Sequence, residues 1–323
     1  GDRNSEISDI KKSLDITDSV IDKAIENGCE LIITHHPIIF ESIKKINDST
    51  ILGKKILKLI KNGINVYSAH TNLDSAKDGL NNYIAQKLLA KDTKIMDENF
   101  YSVYKMNIFV SKSILAEVLS ILNGSRELEF LEYKRVTYTS KVTERVLVNN
   151  EIKELDSYNI QIMGEKNKLY SILNKIREKH SISEIAFEIL PLENKHKTGT
   201  GLGRFFKLEN PMSLEEYIIF VKDKLNLDFV KVVKANDKLI KKVAVVNGSG
   251  AEFWKKAYDM GADVFITGDF KYHNALDAYE KGLNIVDIGH YEAEHFFYEI
   301  IIKKLDDNLR VEVYNEKRIL EIK

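Results

Sequence analysis

Leu31-Ile32-Ile33-Thr34-His35-His36-Pro37 is the stretch that decides how the chain is read. A short aliphatic run that delivers polar residues into a proline-stopped loop reads as a buried parallel strand whose carboxyl end presents a site. Imidazole is the commonest neutral metal ligand, so two of them at one strand end suggest a metal centre. Taken alone, the pair is better explained by one histidine capping a loop and the other facing solvent. The surrounding pattern reverses that weighting.

Asn284-Ile285-Val286-Asp287-Ile288 reads as another buried strand, broken by Gly289 and followed by His290-Tyr291-Glu292-Ala293-Glu294. Ala293 to Lys304 reads as a helix, and His290 and Glu294 share a face if its first turn includes both. A charge favoured by the helix dipole would account for Glu292 or Glu294, but not for His290. A third strand end, Ile64-Asn65-Val66-Tyr67-Ser68-Ala69, leads into His70-Thr71-Asn72-Leu73-Asp74. Asp74 by itself would be an ordinary turn former. In open α/β sheets, however, the carboxyl ends of strands share one rim, where ligands bind. His35, His36, Asp74, His290 and Glu294 exceed what one tetrahedral ion needs, and they suit two ions sharing a carboxylate. Cys29 is the sole cysteine, so a thiolate-rich site is excluded. Zn, Mn, Fe, Co or Mg remain, with the imidazoles weighing against Mg.

Helical and strand signals alternate around these sites. Residues 18–27, 50–62 and 79–90 read as helices, the first two stopped by Gly28 and Gly63. Such alternation implies crossover units and a mostly parallel sheet. The character changes near Tyr104. Residues 105–110 read as a strand, 113–122 as a helix, and 128–138 and 144–149 as strands with polar alternation. Residues 159–163 are a further strand candidate, 167–180 a helix, and 184–190 a last strand before Pro191. Strand-helix-strand-strand-helix-strand is the ferredoxin-like order. The Gly- and Thr-rich stretch Lys195–Gly203 reads as the return linker. Ser213-Leu214-Glu215-Glu216 then reads as a capping box opening a helix to Leu225. Strands at 242–246 and 264–267 and helices to Met260 and over 271–281 complete the pattern. The expected fold class is α/β: two halves of a mostly parallel domain, residues 1–103 and 196–323, interrupted by a ferredoxin-like α+β insert at 104–195.

Asn247-Gly248-Ser249-Gly250, between a strand and a helix, has the form of a phosphate-cradling turn. It lacks the P-loop lysine and the dinucleotide spacing, and a tight turn explains it about as well. Ser249 is kept as a candidate phosphate contact.

Four motifs together resemble the Ngg-interacting-factor-three-like proteins: Thr34-His35-His36-Pro37, Ser68-Ala69-His70-Thr71-Asn72-Leu73-Asp74, Thr267-Gly268-Asp269-Phe270-Lys271-Tyr272-His273 and Gly289-His290-Tyr291-Glu292-Ala293-Glu294. That family consists of dinuclear-metal toroidal hexamers, often named GTP cyclohydrolase 1 type 2 homologs. The resemblance implies a homohexamer with two divalent ions per chain, held by His35, His36, Asp74, His290 and a bridging Glu294. His70 and His273 would line the site and serve as catalytic candidates. Members usually carry a further helix and strand with a Trp-Asp-Asn stretch ahead of the position of Gly1-Asp2. Its absence here is expected to affect substrate handling more than metal binding. The segment around Ala186-Phe187-Glu188-Ile189-Leu190-Pro191-Leu192-Glu193-Asn194 resembles the inserted domain of some members, which is similar to PII signal-transduction and divalent-ion-tolerance proteins.

Bulk properties narrow the partners. The 323 residues carry 48 Lys plus Arg against 49 acidic side chains, so no basic surplus argues for nucleic acid. A single cysteine fits a reducing cytosol, and no apolar run is long enough to span a bilayer. The expectation is a cytoplasmic chain acting on a small molecule, a nucleotide being one class. Two readings compete: a metal-dependent hydrolase, attacking a nucleotide ring or a phosphoester, and a non-catalytic hexameric metal-binding scaffold.

Overall fold

A computed structural model describes residues 1–2, 4–130, 133–134, 136–148, 150–180 and 185–314. The expected strand ends at Asn149 and Glu184, parts of the expected strand 128–138, and the last nine residues lie outside that set. By contacts the chain divides into two compact units, residues 1–99 with 199–323, and residues 100–198.

The first unit begins with β1 (Asp9–Ser13), α1 (Asp18–Glu26), β2 (Leu31–Thr34), α2 (Ile51–Lys61), β3 (Asn65–Ser68), α3 (Thr71–Ser75) and α4 (Leu80–Lys87). The Thr17 and Thr50 side chains accept from the amides of Val20 and Gly53, satisfying helix-start donors that would otherwise lack partners. Next comes β4 (Lys94–Ser111), which crosses into the second unit.

The second unit continues with α5 (Leu115–Gly124), the short pair β5 (Glu129–Phe130) and β6 (Tyr133–Lys134), β7 (Thr137–Val148), β8 (Glu151–Gly164), α6 (Lys166–His180) and β9 (Phe187–Met212). Its antiparallel sheet has the order β9-β4-β8-β7, with β7 and β8 forming a long hairpin. Met106, Ile108, Ile160 and Ile162 pack beneath Val118, Leu122, Leu169 and Leu173 of the two helices.

The chain re-enters the first unit along β9. It continues with α7 (Leu214–Leu225), β10 (Lys231–Val233), β11 (Ile240–Val245), α8 (Trp254–Asp259), β12 (Val264–Thr267), α9 (Tyr272–Lys281), β13 (Asn284–Asp287), α10 (His290–Glu294), α11 (Phe297–Ile302) and β14 (Arg310–Val313). The Ser213 capping box is present, with Oγ accepting from the Glu216 amide and Glu216 accepting from the Ser213 amide.

This unit holds two sheets. One is wholly parallel, in the order β14-β1-β2-β3. The other runs β10-β13-β12-β11-β9, parallel through β11-β12-β13 and antiparallel at β10 and β9. Helices α4, α7 and α11 lie between them, where Leu80, Ile84, Tyr217, Val221, Phe297 and Ile300 join Ile10, Ile33, Val243, Ile266 and Val286 in one core. Separate apolar clusters seat α1 and α2 on the first sheet and α8 and α9 on the second. The fold class is therefore α/β, as the alternating pattern indicates.

Several expectations shift. Lys195–Gly203 is not a linker, because β9 runs straight through it. Two of its glycines mark close approach rather than a loop: a Cβ at Gly201 would lie 2.1 Å from the Asp97 carbonyl oxygen, and one at Gly203 would lie 2.8 Å from the Met96 sulfur. The expected helix over 293–304 starts earlier, at His290, and breaks between Glu294 and Phe297. The expected strand over 128–138 is a 3-10 turn at Arg126–Leu128 and two short strands, with β7 starting at Thr137.

Candidate metal centre

Three strand ends deliver the expected ligands. His35 and His36 follow β2, His70 and Asp74 follow β3 on α3, and His290 and Glu294 occupy α10 after β13. With α10 beginning at His290, the two side chains share one turn, and His290 Nε2 lies 3.0 Å from Glu294 Oε2. His36 Nε2 is 2.9 Å from the same oxygen. The other oxygen, Oε1, faces His35 Nε2 at 3.4 Å, and Asp74 Oδ1 lies 3.6 Å from that nitrogen. The two oxygens of Glu294 thus address two separate sets of donors.

Each histidine is turned by a partner on its other nitrogen. His35 Nδ1 meets the Ala69 carbonyl at 2.7 Å, His36 Nδ1 meets Asp15 at 2.9 Å, and His290 Nδ1 meets Asp269 at 2.8 Å. A carbonyl only accepts, so His35 carries its proton on Nδ1 and presents the Nε2 lone pair to the carboxylates. Asp74 receives the Asn247 side-chain amide at 2.8 Å, and Asn81 braces this pair through the Asn247 amide and the Asp74 carbonyl.

The buried polar atoms test whether a cation fits. His35 Nε2 is buried with no hydrogen-bond partner among the described residues, and the buried Glu294 Oε2 is approached by the imidazole nitrogens of His36 and His290. Lone pairs converging in a buried space are costly unless a proton or a cation lies between them. Imidazole and carboxylate are the donor set of borderline divalent ions. Two groups, His35/His36/His70 and His36/His290/Glu294, each have donor atoms close enough to hold one metal ion.

Electrostatics without a metal point the same way. Glu294 sits well below the usual carboxylate range, because the imidazoles of His290, His35 and His36 outweigh its burial. Burial also opposes charge on His36, yet the Asp15 and Glu294 carboxylates hold its pKa up to about 10. The hydrogen bond with Glu294 lifts His290 to about 9 against its burial. Burial raises Asp74 to about 6 despite His35 and the Asn247 bond. Burial and the neighbouring His35 and His36 lower His70.

His70 belongs to the cluster, its ring centroid 5.2 Å from that of His35 and 5.7 Å from that of His36. His273 is placed differently: it is exposed on α9 against Tyr272, and among the described residues no contact joins it to the ligands. Ser249 is exposed on its turn. The next amide, Gly250, is already engaged by Thr267 Oγ1, and α8 is only six residues long.

Asp15, Asp269, Asn247 and Asn81 are site residues that the sequence pattern does not single out. Asp269 lies inside one of the four motifs and Asn247 opens the Asn-Gly-Ser-Gly turn, which are usable signals, whereas nothing local marks Asp15 or Asn81. Gly248 is part of the same construction: at φ +58, a Cβ there would fall 2.1 Å from Glu294 Oε1.

Comparison with known proteins finds relatives along most of the chain. A Bacillus subtilis protein named GTP cyclohydrolase 1 type 2 homolog is 35% identical over 316 residues, covering 94% of this chain and 84% of its own length. A protein of the same name from Halalkalibacterium halodurans is 35% identical, covering 98% of this chain and 87% of its own length. The crystal structure of a Bacillus cereus protein related to NIF3 superimposes with a TM-score of 0.77 at 31% identity, covering 100% of this chain and 91% of that one. The family model for Duf34/NIF3 (NGG1p interacting factor 3) matches residues 1–319, and the chain belongs to that family.

Proposed function

We propose that this chain binds two divalent metal ions, with His35, His36, Asp74 and His290 as terminal ligands and Glu294 as the bridge, and that it hydrolyses a nucleotide-like or phosphorylated small molecule. The observation carrying the proposal is the split of Glu294: Oε2 faces His36 and His290 while Oε1 faces His35. Two bound divalent cations supply Lewis acidity, acidifying a water and polarising a substrate oxygen. The protein groups do the rest. Ala69, Asp15 and Asp269 hold the imidazoles in the tautomer that presents Nε2. His70, kept neutral by burial and by its histidine neighbours, is the proton carrier, since of the two candidates it is the one beside the ligands. The name shared by the relatives supports GTP as the first substrate to try, with other nucleotides and phosphoesters beside it.

The test is metal analysis of wild type and Glu294→Ala, followed by a mass-spectrometric screen of metal-replete protein against nucleotides and phosphoesters. The expected result is two ions per wild-type chain, fewer in the variant, and turnover that requires the ions. Two ions with no turnover across the panel would favour the non-catalytic scaffold. Native mass measurement checks the homohexamer.

A further inference from the structure

We infer that the two metal positions are inequivalent: the His36/His290 position is the exchangeable one, and Asp15 and Asp269 are its positioning residues and not those of the His35/Asp74 position. The inference rests on the two-ion reading above and concerns how the chain treats each ion.

The environments differ in access. The His35 and Asp74 side chains are 0% and 10% exposed, against 24% and 36% for His36 and His290. They also differ in what stands behind the ligands. The inner position is braced by uncharged groups, the Ala69 carbonyl and the amides of Asn247 and Asn81. The outer position is braced by two carboxylates, one on each Nδ1. A carbonyl fixes the tautomer and ring orientation, and a carboxylate in addition makes the imidazole a stronger donor.

Both carboxylates are held by the fold. Asp15 lies in the turn after β1, where the His36 amide donates to the Leu14 carbonyl at 2.9 Å. Asp269 has φ +56, a left-handed conformation that residues other than glycine seldom adopt. The buried Asp287 carboxylate pins that loop by accepting from the Phe270 amide at 3.1 Å and the Gly289 amide at 3.0 Å. Gly268 further ties it to Gly248, through an amide-to-carbonyl bond of 2.9 Å. The Asp269 carboxylate is therefore aimed at His290 by backbone that would otherwise relax. The outer position is thus the one whose ligands reach solvent, while those of the inner position are almost wholly buried.

The test loads the full chain with cobalt(II) and follows its loss to a chelator by visible absorption and residual metal content. Wild type is expected to lose its two ions in two separate phases. Asp15→Asn and Asp269→Asn are each expected to weaken one ion by about 10–100-fold and to leave the other ion unchanged. Asp269→Gly guards against misfolding, because glycine accepts the left-handed backbone while removing the carboxylate; it should reproduce the Asp269→Asn loss. A single phase in wild type, or variants that weaken both ions equally or neither, would overturn the inference while two-ion binding stands. Uptake of fewer than two cobalt ions by wild type would overturn the two-ion reading and this inference with it.

Discussion

Replacing Gly248 by Ala probes the proposed bridging role of Glu294 without replacing any of the proposed ligands. The added Cβ would lie 2.1 Å from Glu294 Oε1, whereas ordinary contact begins near 3.4 Å, so the carboxylate or the turn must give by more than an ångström. Metal–oxygen bonds tolerate only about 0.2 Å of displacement, so a carboxylate moved that far no longer bridges. The backbone adds its own cost, since a non-glycine residue at φ +58 loses about 1–2 kcal/mol. Gly282→Ala separates the two effects: it sits at φ +78 with nothing within 4 Å of a new Cβ, so it carries the backbone cost alone. Metal content by mass spectrometry and thermal melting of the metal-stripped proteins supply the readouts. Both variants should melt lower, Gly248→Ala by at least as much as Gly282→Ala, and only Gly248→Ala should lose metal. Wild-type metal content in Gly248→Ala, or equal metal loss in both variants, would refute the reasoning.

Three further outcomes concern stability. Tyr217 is fully buried, yet its hydroxyl has no partner among the described residues, so Tyr217→Phe should leave chemical-denaturation stability unchanged or raise it; a loss above about 1 kcal/mol would reveal a hidden bond. Ser213→Ala removes the capping box of α7 and should cost about 1 kcal/mol by the same measurement. Lys12 is fully buried and its pKa is lowered to about 8 by that burial. A cation depressed on folding costs stability below its folded pKa, and the penalty fades as pH climbs from there toward the unfolded value near 10.5. Lys12→Met should therefore gain more at pH 7 than at pH 10.5 in paired melts, and an equal gain at both would contradict the sign.

What the sequence disclosed follows from where each signal resides. Leu31–Thr34, Val264–Thr267 and Asn284–Asp287 are legible because strands covered on both faces are nearly continuous apolar runs. Asp9–Ser13 is not, since Lys11 and Lys12 break that run; one is buried against Glu312 and the other donates to the Tyr298 carbonyl, both distant in sequence. Gly201 and Gly203 of β9 mimic a loop because close strand approach and sharp turns demand the same residue. The proposed ligands are legible in the sequence because they sit at recognisable strand ends. The pairing of supports with ligands is not: Asp15 and Asp269 each lie 21 residues from the histidine they orient, a pairing that tertiary contact alone creates.

The parallel sheet that carries His35 is bordered by β14, so among the described residues the first strand pairs with the last. On a ribosome, His35, His36 and Asp74 emerge early, and His290 and Glu294 follow only after about 220 more residues, some 10–40 s at ordinary synthesis rates. For that interval the early histidines and Asp74 have neither their bridge nor their outer partner. On the proposed ligand set, the centre can therefore assemble only after Glu294 has emerged, and the first cation it captures would be set by what the surroundings offer at that stage.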